Sequence, residues 1–281
     1  MLHFERTTMS SYELVIKPRT GWRVIDFREV SRYRELFAFL VWRDIKVRYR
    51  QTLLGGLWAV LQPLIAMIVF TIIFHRMAGV GTDGAPYPLF AFAGLAPWTF
   101  FSASVTQSSN SLIGNQNLVS KIYFPRLFIP LGAVSALLMD LLLSLGIFSV
   151  LLIWYHWRLT AAVFFLPVFI VAAFLAAGGI GLVLSALNVN FRDVKYAVPF
   201  LIQMGLFVTP VIYPARYVPK RWLWVLAVNP MSGVVLGFRR CLLGAGESWQ
   251  LIASSLAICL LLFIVGLFVF GRMERRFADI I

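Results

Sequence analysis

Charged residues are scarce in this chain. They make up 13% of its 281 residues, whereas hydrophobic residues make up 60%. About a quarter of the residues of a soluble domain are charged, so this composition excludes a soluble globule and indicates that lipid surrounds much of the chain. Cysteine is rarer still: Cys241 and Cys259 allow at most one disulfide and no metal cluster, and we expect both to be buried apolar side chains.

Motifs for catalysis or for energy coupling are also missing. No G-x-x-x-x-G-K-[ST] phosphate-binding loop occurs in the sequence, so an ATP-driven process would need its ATPase on another polypeptide. No carboxylate is arranged beside His3, His75 or His156 as a metal or catalytic site. We therefore predict no enzyme activity, no bound metal and no cofactor. The net charge of +13 comes without a nucleic-acid motif, and anionic lipid headgroups explain it more simply.

Long apolar runs take the place of short amphipathic elements. Each is close to or above the roughly 17 residues that a helix needs to cross a membrane, and continuous apolar character favours helices over strands. The expected spans are residues 53–74, 89–105, 127–154, 161–187, 196–213 and 251–270. Residues 1–30 contain no apolar stretch typical of a signal peptide, so we expect the first span to direct insertion.

Lysine and arginine are distributed unevenly between the two sides of these spans. The flanks on the side of both termini carry 18 of them and the other flanks carry 7, which predicts that both termini are cytoplasmic. The chain then divides into a cytoplasmic segment, residues 1–52, a six-helix transmembrane domain, residues 53–271, and a cytoplasmic tail, residues 272–281.

Several residues inside the spans are unusual. The fourth span repeats small residues at Ala173, Ala177 and Gly181, which favours close packing within one chain over a contact between two copies. Asp140 is a carboxylate in the middle of the third span; we expect it to hydrogen-bond within the bundle, and an ion-coupling site is the alternative. We also expect kinks at the prolines of the spans, which are Pro63, Pro97, Pro130 and Pro167.

Residues 33–51 precede the first span and have helical periodicity. Their apolar side chains lie on one face and their basic side chains on another, which predicts an amphipathic helix lying in the cytoplasmic interface. A solvated juxtamembrane helix is the alternative. The apolar face comprises Tyr33, Phe37, Leu40, Val41 and Ile45.

Two polar connections lie on the cytoplasmic side. Residues 107–126 carry a short apolar stripe, which predicts a short protruding helix that docks into a soluble partner, or else a plain connection. Residues 188–195 are too few for an active site; we expect this connection to cap a helix, and a second docking point is the alternative.

Residues 214–250 form the least ordinary segment on the other side. The apolar pieces 222–228 and 231–243 are each too short to cross a membrane and are separated by Asn229-Pro230. Such pieces are typical of re-entrant or interfacial helices. We expect Arg239, Arg240 and Glu247 to face a water-filled cavity there.

Aromatic side chains concentrate near the predicted outer ends of the spans, where an interfacial belt is the ordinary interpretation. Some of them would instead stack on sugar rings. From residue patterns alone an ion-coupled secondary transporter stays open, although it normally needs several intramembrane charges. A membrane glycosyltransferase would need carboxylates placed together, and Asp83, Asp193 and Glu247 are isolated.

Several motifs resemble one known family. Residues 40–55 read LVWRDIKVRYRQTLLG and continue to Leu57-Trp58 and Leu61-Gln62-Pro63. The chain is similar here to the opening of permease subunits from polysaccharide-exporting ABC transporters, which handle O-antigen, capsule or teichoic acid. The resemblance covers nearly everything after about residue 35, and it continues in Asn117-Leu118-Val119, Lys121-Ile122-Tyr123-Phe124-Pro125-Arg126, Asn190-Phe191-Arg192-Asp193, Thr209-Pro210-Val211 and Asn229-Pro230-Met231.

The resemblance implies an all-α integral membrane protein with six spans, an N-terminal interfacial helix and re-entrant helices between spans five and six. It also implies a homodimer in the bacterial inner membrane and two copies of a separate ATPase, which would bind ATP and Mg. The implied cargo is a lipid-linked polysaccharide, O-antigen before capsule or teichoic acid, and a drug or small-lipid exporter is the nearest other cargo class.

The same resemblance assigns site residues. The implied ATPase-coupling residues are Asn110, Asn115, Asn117, Leu118, Lys121, Ile122, Tyr123, Phe124, Asn190, Arg192 and Asp193. The implied interfacial-helix residues are Trp42, Arg43, Lys46 and Arg50. The implied channel-lining residues are Phe70, Phe74, Trp98, Phe101, Tyr213 and Trp224.

Overall fold

A computed structural model describes residues 31–50, 57–77, 79, 81–82, 84–121, 123–191, 193–246 and 248–274. These residues form helices and their connections, and no strand occurs among them. The helices are α1 (Arg34–Arg50), α2 (Leu57–Phe70, continued by π-helical turns at Thr71–Met77), α3 (Tyr87–Gly114), α4 (Gln116–Lys121), α5 (Phe128–Trp154), α6 (Leu166–Asn190, preceded by a 3-10 turn at Ala161–Phe165), α7 (Val194–Val208), α8 (Leu223–Val228), α9 (Pro230–Leu243) and α10 (Trp249–Met273).

Most of the expected spans are confirmed. Within the described residues five helical segments are long and apolar enough to cross a membrane, and there are up to six if one bent pair counts as a span. The five are Val60–Met77, Tyr87–Gly114, Phe128–Trp154, Ala161–Asn190 and Trp249–Met273. They correspond to the first, second, third, fourth and sixth expected runs.

The fifth expected span is shorter than we predicted. Helix α7 has 15 residues, or roughly 22 Å at 1.5 Å per residue, and does not cover a hydrocarbon layer of about 30 Å on its own. It ends at Val208 because Thr209 precedes Pro210 and adopts an extended backbone, with ψ at 137°. Residues 209–213, which were expected to be helical, turn back towards the bundle instead.

The predicted pair of short helices between spans five and six is confirmed. The segments Lys220–Val228 and Pro230–Leu243 meet at 96°. Asn229 forms the corner: it is extended before Pro230, and its side-chain oxygen accepts a hydrogen bond of 2.9 Å from the backbone nitrogen of Met231. Helix α9 is also far more buried than a lipid-facing span, since every residue from Met231 to Arg239 is buried.

Helix α3 lies at the centre of the bundle. In its spanning stretch 78% of the residues are buried, against 17% to 39% in the other four spans. Helices α5 and α6 are its main neighbours, and α9 closes it from one end. The remaining spans therefore surround one buried helix and present much of their own surface outward.

Small residues bring the backbones of α6 and α10 together. A Cβ atom on Gly179 would lie 2.5 Å from the carbonyl oxygen of Leu262, and one on Gly266 would lie 2.4 Å from the carbonyl oxygen of Gly179. Ala173 and Ala177 are fully buried against the main core. The prediction that the small residues of this span pack within one chain is confirmed, because glycine and alanine allow backbones to approach this closely.

Two of the four expected proline kinks are wrong. Pro63 and Pro97 lie inside helices. Pro130 and Pro167, however, lie in the first turns of α5 and α6. The first turn of a helix does not use its backbone N–H groups within the helix, so a proline there begins a helix without bending it.

Candidate functional site

An apolar cluster joins several elements at one end of the bundle, which we call the terminal end. Leu40 of α1, Leu112 of α3, Val119 of α4, Phe128 of α5 and Phe270 of α10 are all buried in it. The start of α5 is also tied to the end of α10, since the Arg126 guanidinium donates to the backbone oxygen of Glu274 at 3.2 Å. Leu182 and Ala186 of α6 are buried in the same cluster, so six helices are held together where the chain enters and leaves the bundle.

The predicted protruding helix is confirmed, but the connection begins later than expected. Residues 107–114 continue α3 and do not form a loop, and only Asn115 separates α3 from α4. The backbone carbonyl of Asn115 accepts hydrogen bonds from the nitrogens of Leu118 at 2.9 Å and Val119 at 3.1 Å. Its side chain donates to the carbonyl of Ser111 at 2.8 Å. Asn115 thus ends one helix and starts the next.

The implied coupling residues differ in exposure. Phe124 is only 4% exposed and lies in the apolar cluster, so it holds the connection in place and presents no surface. Asn115 and Leu118 are half-buried. Ile122 and Arg192 lie outside the described residues. The exposed members are Asn110, Asn117, Lys121, Tyr123, Asn190 and Asp193.

The second polar connection is shorter than expected and touches the first. Helix α6 continues to Asn190 and α7 begins at Val194, so most of residues 188–195 is helical. Asn188 is fully buried, and its side-chain nitrogen donates to the Ser109 carbonyl at 2.9 Å and to the Asn110 side chain at 3.3 Å. Asp193 of this connection is the N-cap residue of α7, as the cap prediction implies. Its backbone carbonyl accepts hydrogen bonds from the nitrogens of Tyr196 at 3.0 Å and Ala197 at 3.1 Å, and its side chain makes no capping bond.

Helix α1 has the predicted apolar face but a different direction. None of the five residues of that face is exposed, whereas Trp42, Lys46 and Arg50 are exposed and Arg43 is half-buried against Asp44. We expected α1 to lie flat in the interface. In the structure its contacts advance along α5, from Phe37 against Phe128 to Tyr49 against Asp140. Twelve residues of each helix, roughly 18 Å, run side by side.

Asp140 makes the bonds within the bundle that we predicted. The Arg48 guanidinium lies 2.7 Å from one carboxylate oxygen of Asp140, and the Tyr49 hydroxyl donates to the other. Burial raises the pKa of Tyr49 far above its ordinary value, and the hydrogen bond to the negative carboxylate raises that pKa further. Tyr49 therefore stays protonated and keeps its donor role. The charged partner comes from α1, outside the spans.

Arg239 organises the opposite end of the bundle, which we call the distal end. Its side chain is 0% exposed. It donates to the carbonyl of Pro210 at 2.6 Å and to that of Val211 at 2.5 Å, and its guanidinium carbon lies 3.5 Å from the ring centroid of Phe90. The prediction that Arg239 faces a water-filled cavity is therefore wrong: its charge faces carbonyl oxygens and an aromatic face.

The family motifs at residues 209–211 and 229–231 converge at this distal end. The Asn229 side-chain nitrogen donates to the Thr209 hydroxyl at 2.8 Å. A Cβ atom on Gly94 would lie 2.7 Å from the Val211 oxygen and 2.9 Å from the Arg239 side chain, so only glycine allows α3 to approach them. Arg240 stacks on Trp249, with its guanidinium carbon 3.9 Å from the ring centroid. Glu247 lies outside the described residues.

The implied channel residues do not form one surface within a single chain. Trp98 and Phe101 are buried, with ring centroids 5.5 Å apart, and line an apolar cavity of about 480 Å³ between α3, α6 and α7. Trp98 lies eleven residues after the start of α3, roughly 16 Å along it, and therefore far from the end of that helix. Phe70 and Phe74 pack on each other at 5.9 Å in span one.

The remaining two aromatic candidates follow α7: Tyr213 lies in the turn after it and Trp224 lies in α8. The Tyr213 hydroxyl donates to the carbonyls of Phe207 at 3.0 Å and Val208 at 3.3 Å, so it closes the end of α7. Trp224 is 62% exposed. Neither position tests a role in binding sugar.

Two cavities lined by both polar and apolar side chains lie on the side of α3 that faces α1, α2 and α5. One of about 220 Å³ has Arg48, Gln62, Thr99, Asp140 and Ser144 among its lining residues. A second of about 460 Å³ reaches towards the terminal end along Gln107, Asn110 and Ser111. In the part of the chain that the structure describes, no group of His, Cys, Asp and Glu side chains is placed to hold a metal ion. Cys241 and Cys259 are buried and unbridged.

The comparisons with known proteins agree with this architecture. Residues 35–243 match the model of the family described as "ABC-2 type transporter". The chain is similar to the O-antigen export system permease protein RfbA of Klebsiella pneumoniae, with 29% identity over 88% of this chain and 95% of that protein. For the RfbA protein of Myxococcus xanthus the identity is 33% over 75% and 82%, and for the polysialic acid transport protein KpsM of Escherichia coli it is 28% over 69% and 75%. The chain is therefore a multi-pass membrane protein that belongs to the ABC-2 type transporter family.

Proposed function

We propose that this chain is the permease subunit of an ABC exporter that moves a lipid-linked polysaccharide across the bacterial inner membrane, with O-antigen as its cargo. Relatives named as O-antigen permeases match across most of both chains, and the relative named for polysialic acid matches a smaller share. Two copies would form the channel, and two copies of a separate ATPase subunit would bind ATP and Mg. Both termini, and hence the terminal end, would face the cytoplasm.

One observation carries the coupling part of this proposal: a polar helix is anchored in the apolar cluster but left exposed. Val119 and Phe124 anchor α4 and the residues after it in the apolar cluster, while Asn117, Lys121 and Tyr123 point outward. A short helix with this arrangement fits a groove on a soluble partner. Because α4 continues directly from α3, a push on it would reach the most buried helix of the bundle.

The ion-coupled alternative has less support. It would need a carboxylate that binds and releases its ion during transport. Asp140 is the mid-span candidate, and both of its oxygens are engaged by side chains of α1. A carboxylate held by a cation and a hydroxyl is typical of a structural ion pair.

The first experiment tests whether an ABC ATPase binds this chain and whether it binds at α4. The tagged chain would be co-expressed with the ABC ATPase encoded beside it, and the variant Lys121→Glu would be compared with Lys220→Glu. Both lysines are exposed, but they lie at opposite ends of the bundle. We expect Lys121→Glu to reduce co-purification of the ATPase and ATP-dependent export several-fold and Lys220→Glu to leave both near wild type.

Two other results would contradict the proposal. If no ATPase co-purifies with the wild-type chain and transport follows an ion gradient, the exporter assignment is wrong. If Lys220→Glu weakens ATPase binding and Lys121→Glu does not, the exporter can stand but the terminal end is not the coupling surface.

The cargo is tested separately. The chain and its ATPase would be introduced together into one strain that lacks its O-antigen permease and into another that lacks its capsule permease. Restoration of surface polymer only in the first strain is the expected result. Restoration only in the second would assign a capsular polysaccharide.

A further inference from the structure

We propose that Asp140 is a positioning residue that couples ATPase movement to the third span, by latching the far end of α1 to α5. The inference rests on the proposed function, because it assumes that an ATPase acts at the terminal end. It concerns three side chains that the sequence did not bring together: Arg48 and Tyr49 on α1, and Asp140 on α5.

The first step is the geometry of the two helices. At one level the rings of Phe37 and Phe128 are 5.2 Å apart. Further along, a Cβ on Gly132 would lie 3.9 Å from both Leu40 and Val41, which is ordinary contact. Further still, Arg48 and Tyr49 reach Asp140. Contacts that advance in step along both helices show that α1 lies lengthwise on the first half of the third span.

The second step is the difference between the two ends of this contact. At its beginning α1 is held by apolar packing, which is non-directional and tolerates sliding. At its end it is held by a charged pair and a hydrogen bond, which require a fixed distance and angle. The register of α1 against α5 is therefore set at Asp140.

The third step is the cost of placing this carboxylate where it is. The Asp140 side chain is 12% exposed, in the middle of an otherwise uncharged helix, while the Arg48 side chain is 39% exposed. Well-packed apolar residues often stabilise a protein as well as a buried ion pair does, and fixing register or switching between states is the best-supported use of such pairs. Stability alone therefore does not account for the Asp140 latch.

The fourth step is what the latch connects. Leu40 of α1 and Val119 of α4 lie in the same apolar cluster, so α1 and the proposed coupling helix move as neighbours. The latch itself borders the 220 Å³ cavity, which also touches Gln62 of the first span and Thr99 of the second. A displacement of α1 would thus reach the level where spans one, two and three meet.

The test uses the full-length chain in complex with its ATPase, reconstituted in lipid vesicles. The measured quantities are ATP hydrolysis and polymer export, and their ratio reports coupling. We expect Asp140→Leu and Arg48→Met to lower polymer exported per ATP by roughly 3- to 30-fold, the range typical of residues in a coupling network. The exchange Arg48→Asp with Asp140→Arg should restore much of the ratio, which a merely structural defect would not do.

The distance between two spin labels, measured in the chain alone, tests the latch independently of the proposed function. Labels at Lys46→Cys on α1 and Leu142→Cys on α5 occupy exposed positions, whereas the natural cysteines are buried. In the chain alone, in lipid nanodiscs, we expect one narrow distance distribution for wild type and a broadened one for Asp140→Leu. Tyr49→Phe, which removes only a hydroxyl, gives a second variant if Asp140→Leu does not fold, and should broaden the distribution less.

The matched control is Asp44→Asn. It removes a carboxylate from α1 that pairs with the neighbouring Arg43 of the same helix, and it leaves the contact with α5 intact. The latch is wrong if the export ratio and the label distance change as much in Asp44→Asn as in Asp140→Leu. It is also wrong if neither quantity changes in Asp140→Leu. Failure of any ATPase to bind wild type would overturn the proposed function, while the nanodisc distances would still decide the latch.

Discussion

The two ends of the bundle are held by different kinds of interaction. At the terminal end, side chains from six helices share an apolar cluster. At the distal end, one fully buried arginine gathers the backbone carbonyls of an irregular segment. Apolar packing allows small shifts, whereas several short hydrogen bonds to one cation do not. We therefore expect the helices at the terminal end to shift slightly against one another, and the segments at the distal end to stay fixed.

The largest expected loss of stability is at Arg239, on which the rigidity of the distal end depends. In Arg239→Met the carbonyls of Pro210 and Val211 lose their donor in a buried site, so we expect a loss of about 3 kcal/mol in the free energy of unfolding. Denaturant titration of the purified protein in detergent measures it. Arg240→Met is the control, because Arg240 is half-buried and stacks on Trp249. Equal losses in both variants would contradict the special role of Arg239.

The next largest effect is expected at Leu40. Leu40→Ala leaves a cavity in the cluster of the terminal end and should weaken the attachment of α1 by about 2–3 kcal/mol. Because α1 lies at the edge of the bundle, the loss should be local. Hydrogen exchange should increase in residues 34–50 and stay unchanged in α9. Faster exchange throughout the chain would show that the terminal end is as rigid as the distal end.

Substitutions at two glycines compare how tightly the two ends of the bundle are packed. A Cβ on Gly237 at the distal end would lie 2.1 Å from the Phe169 ring, so Gly237→Ala should destabilise the protein by about 1–2 kcal/mol. At the terminal end Gly132 has neighbours only at 3.9 Å, and Gly132→Ala should stabilise it by roughly 0.5 kcal/mol through helix propensity. Thermal unfolding of the two variants side by side measures both, and effects of the same sign would contradict the comparison.

A smaller loss than at Arg239 or Leu40 is expected at Asn229. Asn229→Ala removes the cap of α9 and the bond to Thr209, at a cost of about 1 kcal/mol. Asn229→Asp keeps the acceptor for the cap but loses the donor to Thr209, and should cost less. The two variants therefore separate the capping of α9 from the hydrogen bond to Thr209. If Asn229→Asp is as unstable as Asn229→Ala, the loss of stability comes from the bond to Thr209 and not from the cap.

Hydropathy was sufficient to locate the five long spans, because lipid requires continuous apolar helices and their residues carry that signal directly. Local chemistry was equally informative for α4 and for the bend at Asn229-Pro230, where turn and proline preferences act within a few residues. The same reasoning misjudged the end of span five. Its apolar residues continue past Val208, although Thr209-Pro210 had already broken the helix.

The partner of Asp140 was not apparent from the sequence, although a signal existed. A lone mid-span carboxylate normally pairs with a cation, and Arg48 and Tyr49 stand at the end of the preceding amphipathic helix. Their assignment requires knowing that α1 runs along the third span. Arg239 gave a similar signal as a charge within an apolar run, but its partners are carbonyls about 28 residues earlier in the chain, and backbone carbonyls leave no mark in a sequence.

The sequence by itself determined the membrane environment, the helical class, most of the spans and the family, because these depend on composition and on short motifs. Only the tertiary structure decided that α3 is the buried centre, that α1 follows α5 to Asp140, and that Arg239 binds the turn after α7. These contacts join residues roughly 28 to 150 positions apart. Their geometry follows from how the helices pack, which no local pattern specifies.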